Sequence, residues 1–215
     1  MKTTNVIATI ALFLASANGL ATSARRAEAT TGKLVPEGYA IADLEWELET
    51  TPGGSKVALT GTVEEVHAKI LEINPKWDEE FAPIVAEENA KADLQTRAVG
   101  DNTNKLRKRN WTVCGGYPAR QNRIREGISY LRGLSGQASR GPGPRNCVRV
   151  SCSYNSAIWY CNDNSFTKEM PWFHIANAAQ VLVDQCSWEA HFGTGTAGER
   201  WHDDRWFAIV GEEGC

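Results

Sequence analysis

The stretch CVRVSCSYNSAIWYCND, residues 147–163, decides the fold. Apolar residues alternate on either side of Asn155-Ser156, whose turn chemistry closes a β-hairpin with Val148, Val150, Cys152 and Tyr154 on one face. Upstream, WTVCG (111–115) reads as the start of a strand. ARQNRIREGISYLRG (119–133) then spaces Ile124, Ile128 and Leu131 as the stripe of an amphipathic helix closed near Gly133. Downstream, Pro171 opens a helix whose Trp172, Ile175, Ala176, Ala179, Val183 and Cys186 share a stripe, and WFAIV (206–210) is a strand run. The order β-α-β-β-α-β predicts an α+β fold, a small disulfide-stapled antiparallel sheet with two helices on one face.

Staples are expected because all six cysteines (Cys114, Cys147, Cys152, Cys161, Cys186 and Cys215) fall after residue 110. An even number in a short secreted stretch reads as a disulfide framework and not as a metal site, and no C-x-x-C or H-x-x-x-H spacing contradicts that. No metal and no cofactor are expected. Several connectivities are open. On a regular strand Cys147 and Cys152 face opposite sides and should bond to different elements. Cys152 and Cys161 lie on opposite arms of the hairpin and could be close, and Cys215 should pin the tail.

Secretion is read from MKTTNVIATIALFLASANG (1–19), where Lys2 gives a positive start and Val6 to Ala17 an apolar stretch too short to span a bilayer. Ala17 and Gly19 supply a small-residue cleavage pattern, so residues 1–19 read as a signal peptide and the product as extracellular. No later segment is apolar enough to cross a membrane.

A second cut is expected after LRKR (106–109), where Arg107, Lys108 and Arg109 form a basic run of the kind that kexin-type proteases of the secretory pathway recognise. The polar approach AVGDNTNKLRKR (98–109) reads as a linker open to such an enzyme. Residues 20–109 are then a pro-segment, and 110–215 the released cysteine-rich domain. Asn110-Trp111-Thr112 is an N-glycosylation acceptor at its first residue. The pro-segment is itself structured. LEWELE (44–49) alternates as a half-buried strand, TPGGS (51–55) turns it, and KVALT (56–60) returns. Thr62 to Glu65 is a capping box opening a helix striped by Val63, Val66, Ile70 and Ile73, so the unit is ββα, and it serves either as a folding aid or as a mask.

Residues 20–109 carry 16 acidic and 12 basic side chains, and residues 110–215 carry 10 of each. A neutral released domain argues against nucleic acid or anionic lipid as partner. Nine of its ten basic residues are Arg, and Arg120, Arg123, Arg125, Arg132, Arg140, Arg145 and Arg149 could form a recognition surface or pair within the molecule. GTGTAG (193–198) matches G-x-G-x-x-G without the flanking strand and helix that a dinucleotide site requires, and reads as a flexible loop. His191, His202, Asp203 and Asp204 cluster in sequence, so a small hydrolase such as a ribonuclease with His191 and His202 as acid and base is the alternative activity. An enzyme inhibitor acting through the 133–146 loop is another. His67 and His174 lie off their helix stripes and are given no function.

CGGYPARQNRIREGISYLRG (114–133), GPGPRNCVRVSCSYNSAIWYCNDN (141–164) and IANAAQVLVDQC (175–186) resemble a group of small secreted cysteine-rich proteins of filamentous ascomycete fungi. Element order and kexin-type processing are also similar to the virus-encoded killer toxins of smut fungi and to a necrosis-inducing effector family with an α/β plait. The resemblance implies an effector or antagonistic toxin that acts by binding an extracellular or host target after proteolytic release, with no catalytic residues to carry over.

Overall fold

The computed structural model describes residues 34–101, 110–137 and 143–215. The expected signal peptide and the processing residues Arg107, Lys108 and Arg109 lie outside the described residues. The N-terminal segment forms β1 (Ala40–Ala42), β2 (Glu45–Glu49), β3 (Lys56–Thr60), α1 (Val63–Ile73) and α2 (Trp77–Asp101). The disulfide-bearing half forms β4 (Trp111–Arg120), α3 (Gln121–Arg132), β5 (Asn146–Ser153), β6 (Ser156–Asn162) and α4 (Trp172–Gln185), then β7 (Ser187–Ala190), β8 (Gly193–Trp201) and β9 (Trp206–Glu212).

The chain is α+β and disulfide-stapled, but its sheet is larger than expected and mixed. Seven strands run β1-β5-β6-β9-β8-β4, with β7 paired to β8, while β2 and β3 form a separate hairpin. Pairing inside residues 110–215 is antiparallel, and β1 adds to β5 in parallel. GTGTAG is thus most of strand β8 and not a loop. Its glycines disguise it because they serve close approach: a Cβ at Gly198 would lie 2.5 Å from the Val113 carbonyl oxygen, and one at Gly195 would lie 2.8 Å from Pro118 Cβ.

The 147–163 hairpin forms with its turn one residue earlier than expected. Ser153 pairs with Ser156, and the two loop residues Tyr154 and Asn155 both take positive φ (49° and 57°), as a type I′ turn demands. A register shift between Arg149 and Ser151 breaks the strand's parity. Val148 and Val150 therefore face the helices, whereas Cys152 packs on the same side as Cys147. Cys147 bonds Cys161 directly across the ladder, Cys152 bonds Cys215, and Cys114 bonds Cys186. The Cys152–Cys161 alternative is not used, and Cys215 does anchor the chain after β9.

Both helices of this half lie on one sheet face, where Ile124, Ile128, Leu131, Trp172, Ile175 and Leu182 bury against Val148, Val150, Ile158 and Tyr160. The opposite face carries Cys147, Ala157, Trp159, Cys161, Phe207 and Ile209. The N-terminal ββα unit forms with its capping box, Thr62 and Glu65 satisfying each other's backbone N–H, but it gains β1 and α2. Residues 98–101, expected as linker, continue α2. The unit's core is not its own: Leu44, Trp46, Leu48, Val66, Ile70, Trp77 and Phe81 belong to the same buried cluster as α3 and α4. Among the described residues no helix is long and apolar enough to cross a membrane.

All six cysteines should resist a thiol reagent until reduced, and peptide mapping without reduction should return these three pairs. Replacing Cys114 and Cys186 together by Ala should cost about 4 kcal/mol in urea unfolding, more than the about 3 kcal/mol for Cys147 with Cys161, because 72 residues separate the first pair and 14 the second.

Candidate functional site

Residues 34–89 meet residues 110–215 along a seam of strand pairing, ring contacts and carboxylate hydrogen bonds. The N-terminal segment wraps one edge of the sheet and touches both faces beside it. At the edge, Ala40 to Ala42 pair with Asn146 to Val148, and the Ala40 N–H donates to the Arg145 carbonyl at 3.0 Å. This covers the free ladder of β5, an exposed edge that would otherwise invite a foreign strand.

On the helix face, the alternation of LEWELE sends Trp46 inward from β2, and Pro171 sets Trp172 at the start of α4. The two indoles stack with centroids 4.0 Å apart and planes 21° from parallel, both fully buried. Trp46 Nε1–H donates to the Gly61 carbonyl at 2.7 Å. Trp172 Nε1, like Trp159 Nε1 on the other face, is buried without an acceptor among the described residues. Glu64 at the start of α1 takes the Ser151 hydroxyl on one carboxylate oxygen and the Cys152 N–H on the other, the latter at 3.2 Å. Asn89 Nδ2 donates to the Arg132 carbonyl, and the Gly136 N–H donates to Glu88. Between α1, α2 and α3 a cleft of about 620 Å³ remains, lined by His67, Asp78, Val85, Asn89, Glu126 and Tyr130.

On the outer face, Leu34, Val35 and Tyr39 pack on the cluster of Trp159, Phe207 and Ile209. Gly211 makes room for them, since a Cβ there would sit 2.7 Å from Leu34 Cδ2. The Tyr39 ring meets Phe207 edge-on at 5.4 Å, and its hydroxyl donates to Asp163 at 2.8 Å. Burial first, and then Asp163, push that phenol up to about 12. Arg205 and Arg145 hold the same carboxylate at 3.3 and 3.8 Å.

The residues expected to carry chemistry are placed apart. His191 lies in the turn between β7 and β8, and His202 in the turn between β8 and β9, so the length of β8, about 25–30 Å at 3.3 Å per residue, separates the proposed acid and base. His202 instead lies flat on Trp206 at 3.8 Å. Burial, then the charge of Arg200, holds its imidazole down to about 4. Burial also lowers His174, and Asp204, beside both histidines, pairs with Lys168 at 3.0 Å. Among the described residues no three metal-ligating side chains converge. The arginines are dispersed rather than gathered: Arg123 lies over Tyr154 and pairs with Glu126, Arg132 bonds Asn177, Arg149 bonds the Gly214 carbonyl, and Arg120 lies over Phe192. Arg140 lies outside the described residues. Asn110 is exposed and its Oδ1 accepts from the Asp203 N–H at 3.1 Å. Sequence reasoning gave Tyr39, Glu64 and the Trp46–Trp172 pair no role. The one available signal was a Trp on the inward face of a hairpin too small to bury it alone.

No family description, no curated protein and no solved structure matches the chain.

Two outcomes follow from these contacts. Trp46→Ala should destabilise the intact chain by about 3–5 kcal/mol in urea unfolding, the cost of emptying a large aromatic site. His202 is neutral when folded, while an unfolded chain protonates it as pH falls through its ordinary 6.5, so its contribution is complete above that value and lost toward about 4. His202→Phe should keep the ring on Trp206 and flatten the stability loss across that window by about 1–3 kcal/mol.

Proposed function

We propose that the chain is a secreted preproprotein of the fungal effector or antagonistic-toxin kind. Its residues 110–215 act by binding an extracellular or host target, residues 34–89 of the 20–109 pro-segment cover the binding surface, and a kexin-type protease cuts between the two after Arg109. The observation that carries this reading is an asymmetry. All three disulfides lie within 110–215, whereas residues 34–89 hold that half only by non-covalent contacts laid over its edge strand and two aromatic faces. A segment needed only to complete the fold would gain from a covalent staple. One that must be cut from its partner is better without. Buried indole N–H groups on Trp159 and Trp172 that lack acceptors among the described residues add support, because unpaired buried donors are uncommon and a target that replaces the segment can supply them.

Protein recovered from a kexin-competent secreting host should contain a chain beginning at Asn110, and joint replacement of Arg107, Lys108 and Arg109 by Ala should abolish that N-terminus in Edman sequencing. Necrosis or growth inhibition by the cut protein, on host tissue or a competing fungus, should survive combined His191→Ala and His202→Phe. Turnover of RNA by the cut protein that vanishes in this variant, with its disulfides intact, would replace binding by hydrolysis.

A further inference from the structure

The seam is more than a lid attached to the cut site. Its described hydrogen bonds, ring contacts and strand pairs begin at Leu34 and run to Asn89, far upstream of Arg109. Cutting the bond after Arg109 therefore removes none of them. The contacts are spread over an edge and two faces, so no single local opening frees the segment: β1 holds the β5 ladder, Trp46 lies in the core against Trp172, and Leu34 with Tyr39 lies behind the sheet. The segment's buried residues also depend on the other half, with Trp46, Trp77 and Phe81 at 0, 1 and 2 % exposure in the cluster they share with Ile128 and Leu131.

We infer that residues 34–89 stay docked on the edge of β5 and the faces beside it after the cut, as a second, non-covalent subunit. This rests on the processing reading above. The chemistry of the site is legible from its occupant. The β5 backbone takes a short parallel strand, Trp172 takes an indole face, and the Ser151 hydroxyl with the Cys152 N–H takes a carboxylate. Severing the connection turns an internal contact into a bimolecular one, which loses the effective concentration supplied by the intervening chain but none of the surface. Release of residues 110–215 then requires displacement of the segment, not proteolysis alone.

The test uses the full chain secreted by a host lacking the kexin-type enzyme, cut with that enzyme in vitro and passed without reductant through gel filtration and native mass spectrometry at micromolar concentration. One species holding both pieces in equal number is expected. Separate elution of the pieces would overturn the inference. Trp46→Ala should weaken retention at least about tenfold, read as segment lost on dilution. Should that variant fail to fold before cutting, Glu64→Gln, which leaves the apolar contacts in place, should still speed loss of the segment severalfold. Retention unchanged in Glu64→Gln and in every folded Trp46 variant would place the docking site elsewhere and overturn the inference. If the kexin-type enzyme does not cut after Arg109, the processing reading fails by itself. A chain carrying a sequence-specific viral protease site in place of residues 106–109 then reads the docking independently.

Discussion

On the helix face the seam is organised around the Trp46–Trp172 stack. Each indole lies at the start of its own layer, Trp46 on the β2–β3 hairpin and Trp172 at the head of α4, and each is buried because of the other. A lone two-stranded hairpin is marginal in water. Here it is supported from outside, since Trp46, Leu48 and the α1 stripe find their apolar partners across the seam. The hairpin thereby fixes where α1 begins, because Trp46 Nε1–H bonds the Gly61 carbonyl just before the Thr62 cap. That placement in turn brings Glu64 to Ser151 and Cys152. A chain of local rules thus ends in a contact between the two halves.

Covalent and non-covalent forces divide the molecule unequally. Residues 110–215 hold a sheet, two helices and three disulfides, one directly across a ladder, one tying β4 to the end of α4 and one anchoring the chain after β9. Such cross-links limit the unfolded ensemble and compensate for a thin core. Residues 34–101 have none and are more acidic, with stability borrowed through burial and through carboxylates that accept from the other half. Glu64 and Glu88 project from the segment, while Asp163 and Glu213 receive its Tyr39 hydroxyl and Leu34 N–H. Polar contacts of this kind fix register, and the aromatic stack supplies the area.

The periodic parts of this architecture were legible in the sequence, and the parts set by close approach were not. Stripes at Ile124, Ile128 and Leu131, at Trp172 to Val183, and at Val63, Val66 and Ile70 each marked a helix that forms with those residues buried, whereas Ile73, expected on the last stripe, is exposed. Strand β8 was hidden because its glycines are there for what they lack, a Cβ that would strike Val113 or Pro118. Cysteine parity misled because one irregularity between Arg149 and Ser151 turns Cys152 to the side of Cys147, although the two still bond to different partners. The two histidines were neighbours in a supposed loop, and folding that loop into a nine-residue strand sent them to opposite ends. Across the seam, Glu64 read as part of a helix start, and nothing in a local pattern says that a carboxylate at the first turn of one unit meets a backbone N–H of another.

The aromatic faces of residues 110–215 need their cover. With residues 34–89 removed, Trp172 on one face and Phe207 with Ile209 on the other would lose their covering side chains, and the β5 ladder would be unpaired. Soluble monomers rarely display contiguous apolar patches of more than a few hundred Å², and a bare edge strand beside one is a template for aggregation. A secreted enzyme can keep its apolar surface inside a cleft that only substrate enters. A surface spread over an edge and two faces has no such shelter, and residues 34–89 are what keep it from water.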